Sequence, residues 1–183
     1  MIKHVILVDQ HDNPQGHIEK KEAYERGLLH RGFSVFIFNS KCELLLQKTK
    51  YSSKALWANT CIGHAKVGES NFHIAIKKIW AELGMGCDIS FLFKFTHNTK
   101  FSGGLTEYKV SHVYFGMSET LPAIHPMEKE NFKFMDINVL AKDINAHPEN
   151  YIQGLGLILN RVVRHVSTAM KQKRQLSDVP KYM

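Results

Sequence analysis

Short apolar runs separated by turn-forming residues dominate the first part of the chain. Val5–Val8 is a first apolar run, and Asn13–Gly16 is a turn that returns the chain into a second short strand. Phe33–Phe38 is almost entirely apolar or β-branched, and the pattern resumes at Glu43–Gln47 after a polar turn at residues 39–41. The opening of the chain therefore predicts two β-hairpins.

Helical spacing of apolar residues predicts a helix in the middle of the chain and another near its end. Ser70 can cap the first helix, which ends near Leu83 because Gly84 supplies a stop. The apolar stripe predicted to be buried on this helix consists of Phe72, Ala75, Ile76, Ile79, Trp80 and Leu83. The stripe of the C-terminal helix consists of Ile152, Leu155, Leu159, Val162, Val166 and Met170.

Three more strands and one short helix complete the pattern. The strands are predicted at Phe91–Phe95, Thr106–Phe115 and Asn131–Met135, and the short helix near Ile137–Asp143. Alternation along the second of these strands places Glu107, Lys109 and Ser111 on one face and Tyr108, Val110 and His112 on the other. Strands in hairpins with helices inserted late favour an α+β domain with a mixed sheet.

Length and composition place this chain among ordinary globular proteins with one domain. It has 183 residues, of which 44% are hydrophobic. We predict one domain over residues 1–172 and a frayed tail over 173–183. No apolar run reaches membrane-spanning length, and the three cysteines are an odd, scattered set without a CxxC motif, so we expect a cytoplasmic protein with reduced thiols.

The formal net charge of +7 raises the question of an anionic partner. The lysines are spread along the chain, and the one dense basic cluster lies at Lys171–Arg174, so a nucleic-acid partner is not favoured. An excess of positive charge on a small protein also suits a phosphorylated small molecule.

Several short motifs resemble those of type 1 isopentenyl-diphosphate isomerases, a family of the Nudix superfamily. The most specific are a Trp-Xaa-Asn-Thr-Cys-Xaa-Xaa-His stretch that begins at Trp57 and a Gly-Leu-Thr-Glu stretch that ends at Glu107. The shorter matches are Lys50-Tyr51, Gly63-His64, Gly68-Glu69-Ser70 and Glu82-Leu83-Gly84. The resemblance runs from about His4 to the last helix and implies a Nudix fold, with a mixed β-sheet flanked by helices.

The resemblance implies a divalent metal, Mg²⁺ or else Mn²⁺ or Zn²⁺, and a small isoprenoid-type diphosphate as ligand. His30, His64 and Glu107 match metal ligands of the family. Glu82 matches a glutamate that serves a second, substrate-linked magnesium, and Glu69 is a further candidate for that role. The basic residues that fall at or near diphosphate-contacting positions of the family are Lys20, Lys48, Lys50 and Lys78.

Two catalytic positions depart from the family pattern. Ile62 stands where the family has its proton-donating cysteine, and an isoleucine transfers no proton. Cys61 is one residue away, so it faces the opposite side of a strand unless a bulge re-aims it. Lys109 stands where the family has the second glutamate of a Glu-Xaa-Glu motif, which inverts a charge. The catalytic candidates are therefore Cys61, Glu107 and Lys109.

Three further positions of the pocket also differ. Phe95 takes the place of a family tyrosine, and the tryptophan expected at the start of the last helix is replaced near Gly154. A family histidine before His30 has no counterpart, and Tyr24 is the nearest candidate. His97, in contrast, is given no role in the site.

These changes leave three functions open. The chain is an isomerase-like enzyme with altered or slowed chemistry on a small diphosphate, a magnesium-dependent Nudix diphosphohydrolase, or a non-catalytic protein that binds a phosphate ligand. A separate hypothesis concerns Lys109, whose ammonium group is expected to pair with Glu107 and to leave the metal site empty.

Overall fold

The computed structural model describes residues 4–49, 55–122 and 131–177. Its strands are β1 (His4–Val8), β2 (Pro14–Glu19), β3 (Leu29–Phe38), β4 (Glu43–Lys48), β5 (Trp57–Asn59), β6 (Cys61–Gly63), β7 (Ile89–Lys100), β8 (Thr106–Met117) and β9 (Phe132–Asp136). Its α-helices are α1 (Lys20–Glu25), α2 (Asn71–Leu83), α3 (Ile137–Ala146) and α4 (Gln153–Ser177).

The sheet is mixed, as the sequence predicts. Along one path its strands follow the order β2-β1-β3-β4-β5, and β6, β7, β8 and β9 are attached to it through β3, β8 and β4. The pairing of β3 with β8 is parallel over Leu29–Phe38, whereas β1–β2 and β7–β8 are antiparallel. Parallel pairing between distant segments is the feature that brings the two strands of the site side by side.

Each face of the sheet carries its own hydrophobic core. On one face, Phe36 and Phe38 of β3 pack with Leu155 and Leu159 of α4. On the other face, Phe33, Val35 and Ile37 of β3 pack with residues of α2. The two sets alternate along β3, because successive side chains of a strand project to opposite sides.

Helix α2 begins and ends where the sequence predicts, but half of its predicted apolar stripe is wrong. The hydroxyl of Ser70 accepts a hydrogen bond from the backbone N–H of His73, and Gly84 ends the helix with φ of 60°. The buried side chains are Asn71, Ala75, Ile79 and Leu83. Three residues that were predicted to be buried are exposed. They are Phe72, Ile76 and Trp80, with 37%, 36% and 66% of their surface accessible to solvent.

One polar residue, Asn71, anchors the side of α2 that faces the sheet. The Asn71 side-chain amide donates a hydrogen bond of 3.0 Å to the carbonyl of Gly32 in β3. This contact fixes the rotation of the helix, so the row four residues apart that starts at Asn71 faces the sheet. Apolar periodicity alone does not distinguish that row from the neighbouring row that starts at Phe72.

Helix α4 confirms the predicted C-terminal stripe over most of its length. Leu155, Leu159, Val162 and Val166 are buried. The helix continues to Ser177, past the predicted domain end at residue 172, and residues 178–183 lie outside the described part of the chain. Within the described ranges, no helix is both long enough and apolar enough to cross a membrane.

The turn between β1 and β2 is held against the sheet by one carboxylate. Asp12, with 7% of its surface exposed and a φ of 67°, accepts hydrogen bonds from Arg31 Nε at 2.6 Å and His112 Nε2 at 2.7 Å. Lys94 Nζ lies 2.6 Å from Oδ2, the oxygen that His112 also contacts. Burial alone raises the pKa of Asp12, but these basic partners hold the pKa below its usual value of 3.8.

Candidate active site at the β3–β8 junction

Strand register places three basic residues in one row across the sheet. In the parallel β3–β8 ladder His30 lies opposite Lys109, and in the antiparallel β7–β8 ladder His97 lies opposite the same lysine. Directly paired residues on neighbouring strands project to the same face. The row His30–Lys109–His97 is therefore a direct result of the sheet topology.

The alternation predicted for β8 is confirmed by a buried hydrogen bond further along the strand. Ser111 Oγ lies 2.9 Å from Ser34 Oγ of β3, and both hydroxyls are buried. Val113 and Phe115 continue the same face into the core against α4. Glu107 and Lys109 thus lie on the α4 face of the sheet, at the end where that core gives way to polar side chains.

His30, His64 and Glu107 come together as the resemblance implies. Each offers one potential ligand atom, and these three atoms lie within 4.8 Å of one another. His30 is 0% exposed and His64 is 5% exposed, so both imidazoles are inside the protein. In the described part of the chain, no other group of three or more such residues is close enough to hold a metal.

The carboxylate of Glu107 is already paired with two donors. Lys109 Nζ lies 3.1 Å from Oε1, and the hydroxyl of Tyr24 donates to the same oxygen at 2.6 Å. Burial alone raises the pKa of Glu107, but the charge of Lys109 and the hydrogen bond from Tyr24 hold the pKa well below its ordinary value. Glu107 is therefore ionised, and its negative charge is balanced by the neighbouring ammonium group.

Tyr24 of α1, which was named as the nearest candidate for the missing family histidine, packs against His30. Its ring stacks on His30 with 5.3 Å between centroids and on Phe101 with 6.2 Å. Burial and the charge of Glu107 raise the pKa of the Tyr24 hydroxyl, so it stays protonated and serves as a donor. Tyr24 therefore donates a hydrogen bond, whereas a neutral imidazole at this place could offer a nitrogen lone pair to a metal.

His97 belongs to the site, although the sequence analysis gave it no role. Its Nε2 lies 3.9 Å from Glu107 Oε2, and burial with the charge of Lys109 lowers the pKa of His97 to about 4. Phe95, which was assigned to the family tyrosine, stacks on His97 at 5.4 Å and pairs with Ser111 one step further along β8. Counting the β7–β8 register back from Lys109 is the signal that identifies His97.

At the start of α4, Gly154 lies next to His97 and has no side chain. A Cβ atom placed on Gly154 would lie 3.6 Å from His97 Nε2. Gly154 is therefore next to the site, as the sequence analysis expected for the position that replaces the family tryptophan. A side chain at this position would contact His97 from its first carbon atom onward.

Both ligand-type histidines are neutral. Burial lowers the pKa of His30, and burial with the charge of Lys109 lowers that of His64 well below its ordinary value. His30 Nδ1 lies 2.8 Å from the carbonyl of Leu28, which can only accept, so Nδ1 carries the proton and Nε2 is an acceptor. The Nε2 atoms of His30 and His64 are buried without a hydrogen-bond partner among the described residues.

Two of the predicted diphosphate-binding lysines lie near this centre. Burial lowers the pKa of Lys20, the charge of Glu107 offsets part of this effect, and the charges of Lys109 and Lys78 add to it. The charges of Lys78 and Lys109 thus reach Lys20, which puts the three lysines in one electrostatic region. The Lys78 stem also lies close to Gly63, since a Cβ atom there would be 3.3 Å from Lys78 Cδ.

Lys48, a third predicted diphosphate-binding lysine, contacts an aromatic ring. Lys48 Nζ lies 5.2 Å from the centre of the Trp57 ring, and Lys133 Nζ lies 4.2 Å from the same ring. This arrangement is a cation–π cluster near the start of α4, where Trp57 pairs with Tyr151. Lys50 falls outside the described residues, so its assignment stays a prediction.

Cys61 and Ile62 face opposite sides of β6. Cys61 pairs with Val35 and is packed in the core beneath α2, where burial raises the pKa of its thiol to about 12. Ile62 pairs with Ser34 and projects to the face that carries the site. The register shows no bulge between them, so the thiol is not re-aimed toward Glu107.

The two carboxylates proposed for a second magnesium are each engaged by another group. Glu69 accepts a hydrogen bond of 3.2 Å from the backbone N–H of Lys66 on the surface. Glu82 forms an ion pair with Lys78 along α2. Neither belongs to the group formed by His30, His64 and Glu107.

The donor set suits a divalent metal in chemical type, and its unpartnered imidazole nitrogens are acceptors of the kind a metal uses. Charge argues against that ion. A metal about 2.1 Å from Glu107 Oε1 would lie at most about 5 Å from Lys109 Nζ. At an effective dielectric constant of about 20, that repulsion costs about 7 kcal/mol, or about five orders of magnitude in affinity. The site as built does not fit a divalent ion.

Comparisons with known proteins agree with the fold and the resemblance. A NUDIX domain model matches residues 28–155. The chain is 39% identical over 162 residues to isopentenyl-diphosphate Delta-isomerase 2 of Aromatoleum aromaticum, covering 87% of this chain and 86% of that protein. It is 36% identical to isopentenyl-diphosphate Delta-isomerase of Pectobacterium atrosepticum, covering 86% of this chain and 90% of that protein.

Solved structures share the fold at low sequence identity. DR0079 from Deinococcus radiodurans superposes with a TM-score of 0.67 at 19% identity, covering 86% of this chain and 98% of that one. The Ap4A hydrolase of C. elegans superposes with a TM-score of 0.53 at 14% identity, covering 74% of this chain and 97% of that one. The predicted Nudix fold is confirmed, and the chain belongs to the isopentenyl-diphosphate Delta-isomerase family of Nudix proteins.

Proposed function

We propose that this protein binds a small isoprenoid-type diphosphate at the β3–β8 junction, and that double-bond migration through a thiol and a carboxylate is not its chemistry. The observation that carries the proposal is the convergence of Lys20 and Lys78 on the region of Lys109 and Glu107. Lys109 is paired with Glu107 and Lys78 with Glu82, so the charge of Lys20 is left over in this region, which suits an anionic diphosphate. The names of the curated relatives indicate the class of ligand.

The loss of ordinary isomerisation follows from where the candidate acid and base lie. Isomerisation of the family type requires a proton donor and an acceptor on opposite sides of the alkene. Ile62 replaces the donor on the site face, and the Cys61 thiol is buried on the other face of the sheet. Lys109 and Glu107 are in direct contact at 3.1 Å, so no substrate atom fits between them.

A magnesium-dependent diphosphohydrolase has less support. Such chemistry needs carboxylates that converge on the metal and the diphosphate. Glu69 and Glu82 do not converge in the structure, and Glu82 is paired with Lys78. We expect no release of phosphate from nucleotides or isoprenoid diphosphates above the rate of a buffer control.

Ligand binding is tested by thermal unfolding and calorimetry with isopentenyl diphosphate, dimethylallyl diphosphate and inorganic pyrophosphate. We expect each to raise the melting temperature, with the isoprenoid diphosphates binding more tightly than pyrophosphate. Lys20→Met should weaken binding about tenfold or more, since it removes one charge-assisted contact. Lys133→Met is the matched control, because Lys133 lies over Trp57 and away from Glu107.

The chemistry is tested in deuterated water with isopentenyl diphosphate. We expect no deuterium in either the substrate or an allylic product over several hours, in the presence or absence of Mg²⁺. Incorporation at an enzymatic rate would show that the isomerase route survives. Absence of any ligand-induced stabilisation would overturn the binding proposal itself.

A cytoplasmic location is also proposed, on the strength of the scattered, odd set of three cysteines alone.

A further inference from the structure

We infer that Lys109 is the permanent cation of this site and takes the place of the divalent metal, so that the protein works without a metal ion. The inference concerns His30, His64, Glu107 and Lys109 and does not depend on which ligand the pocket binds.

The surroundings of Lys109 indicate that its ammonium group is built in. Only 3% of the side chain is exposed, although lysine is almost never fully buried without a partner. The partner is Glu107, whose Oε1 lies 3.1 Å from Nζ. The ammonium also lies in the row between His30 and His97, which are the residues paired with Lys109 on the two neighbouring strands.

The stem of Lys109 is held in place as well as its head group. Gly32 of β3 leaves the space through which the stem passes, since a Cβ atom there would lie 2.7 Å from Lys109 Cδ. The same Cβ atom would lie 3.2 Å from His64 Cδ2. The absence of a side chain at position 32 therefore allows a long side chain to lie between β3 and the imidazole of His64.

The charges within the site balance without an added ion. Glu107 carries one negative charge and Lys109 one positive charge, in contact with each other. A carboxylate that also accepts a hydrogen bond from Tyr24 on the same oxygen has little remaining capacity there for a metal. The unpartnered Nε2 atoms of His30 and His64 need only a neutral donor, such as water or a hydroxyl group of a ligand.

A consequence for binding follows if the pocket takes a diphosphate as proposed above. Relatives with a metal would lose affinity when the metal is chelated, whereas this protein should bind pyrophosphate equally well in EDTA and in Mg²⁺. Failure of pyrophosphate to bind in either buffer would count against the proposed function and leave the inference about Lys109 to be decided by the metal measurements below.

The direct test is the metal content of the protein purified without chelator, measured by inductively coupled plasma mass spectrometry. We expect far less than one equivalent of zinc, manganese or magnesium per chain, and no change in melting temperature on adding EDTA. Lys109→Met, which keeps most of the side-chain length and removes the charge, should bind Mn²⁺ or Zn²⁺ at least about 100-fold more tightly than the wild type. Lys109→Arg keeps the charge and should resemble the wild type.

The inference is wrong if the wild type contains one equivalent of metal and the His64→Gln variant has lost that metal. Metal that persists in His64→Gln is bound elsewhere and leaves the inference standing. If Lys109→Met does not fold, calorimetric titration of the wild type with Mn²⁺ decides the question. Micromolar affinity that is lost in His64→Gln contradicts the inference, and no saturable binding below the millimolar range supports it.

Discussion

Ile62 of β6 lies directly opposite Ser34 of β3, on the face of the sheet that carries the site. Ser34 in turn contacts Ser111 of β8 through a buried hydrogen bond. This relationship fixes the direction of the neighbouring residue, because Cys61 must then project to the other face. The position that the resemblance assigns to the proton donor thus carries an aliphatic side chain, and the thiol of Cys61 lies on the face of the sheet opposite Glu107 and Lys109.

The first prediction concerns Cys61. Cys61→Ala should leave ligand binding unchanged within about twofold, because the thiol packs beneath α2 and makes no contact with the site. It should lower the free energy of unfolding by about 1 kcal/mol, since it opens a small cavity in a well-packed core. Ligand titration and urea denaturation measure the two effects. A large loss of binding with unchanged stability would show that the thiol reaches the pocket.

A second prediction concerns the two substituted catalytic positions together. Ile62→Cys with Lys109→Glu places a thiol and a second carboxylate on the site face. We expect the double variant to acquire metal binding and measurable deuterium exchange into isopentenyl diphosphate. Each single variant should show no exchange, because the acid and the base are needed at once. Exchange by either single variant would contradict this account.

The hydrogen bond from Tyr24 to Glu107 gives a third prediction. Tyr24→Phe keeps the ring that stacks on His30 and removes the donor to Oε1. The variant should lose about 1–2 kcal/mol in the free energy of unfolding, because a buried carboxylate loses one charge-assisted hydrogen bond. Tyr108→Phe, on the opposite face of β8, is the control and should change stability much less. If Tyr24→Phe and Tyr108→Phe lower the free energy of unfolding equally in urea denaturation, the hydrogen bond from Tyr24 does not stabilise Glu107.

The exposed row of α2 gives a fourth prediction. Trp80→Ala should change the free energy of unfolding by less than about 0.5 kcal/mol, because most of the indole is in contact with solvent. Ile79→Ala should cost about 3 kcal/mol, since Ile79 is 1% exposed and packs in the core beneath the helix. Chemical denaturation of both variants checks the rotation of α2. The reverse order of effects would show that the helix presents the row with Trp80 to the sheet.

The carboxylate at the β1–β2 turn gives a prediction with a pH dependence. The pKa of Asp12 is lower in the folded protein than its ordinary value of 3.8, so its contribution to stability is fully present above that pH. The contribution is lost as the pH falls through the lower folded pKa. Asp12→Asn should therefore lower the free energy of unfolding at pH 7 by about 2–3 kcal/mol, less than for a fully buried network because Lys94 is half exposed.

Measuring the free energy of unfolding at acid pH provides the control for this prediction. Below the ordinary pKa of 3.8, the difference in stability between Asp12→Asn and the wild type should shrink, because the wild-type carboxyl is also becoming neutral. Asparagine tolerates the positive φ of 67° at this position, so the substitution tests charge and not backbone strain. A difference that stays constant with pH would point to a packing effect.

Much of the fold follows from local sequence. The Ser70 cap, the Gly84 stop and the alternation in β8 are set by residues close to one another, so patterns along the chain predict them. The first hairpin is present, but the prediction of its turn at Asn13–Gly16 was wrong. The turn lies at residues 9–13, because the Asp9 carboxylate accepts hydrogen bonds from the N–H groups of His11 and Asn13, and Pro14 already begins β2. The rotation of α2 was not predictable in this way. It depends on a hydrogen bond from Asn71 to Gly32, 39 positions apart in the sequence.

The resemblance singled out some residues of the candidate site, and only strand pairing in three dimensions brings in the others. His30, His64 and Glu107 were singled out by the resemblance, and their potential ligand atoms lie within 4.8 Å of one another. His97 carries no motif, and its place beside Lys109 depends on the β7–β8 register. The fold also places the predicted lysines differently. Lys48 contacts Trp57, whereas Lys20 lies near Glu107.

Gly32 has a consequence for which substitutions the centre of the site accepts. A Cβ atom there would lie 2.7 Å from Lys109 Cδ and 2.9 Å from the backbone carbonyl oxygen of Gly63. A flexible lysine stem can turn aside, but a backbone atom of β6 cannot. Glycine at position 32 is therefore required by the close approach of β6 as well as by the lysine, and Gly32→Ala should disturb the site even when Lys109 is shortened.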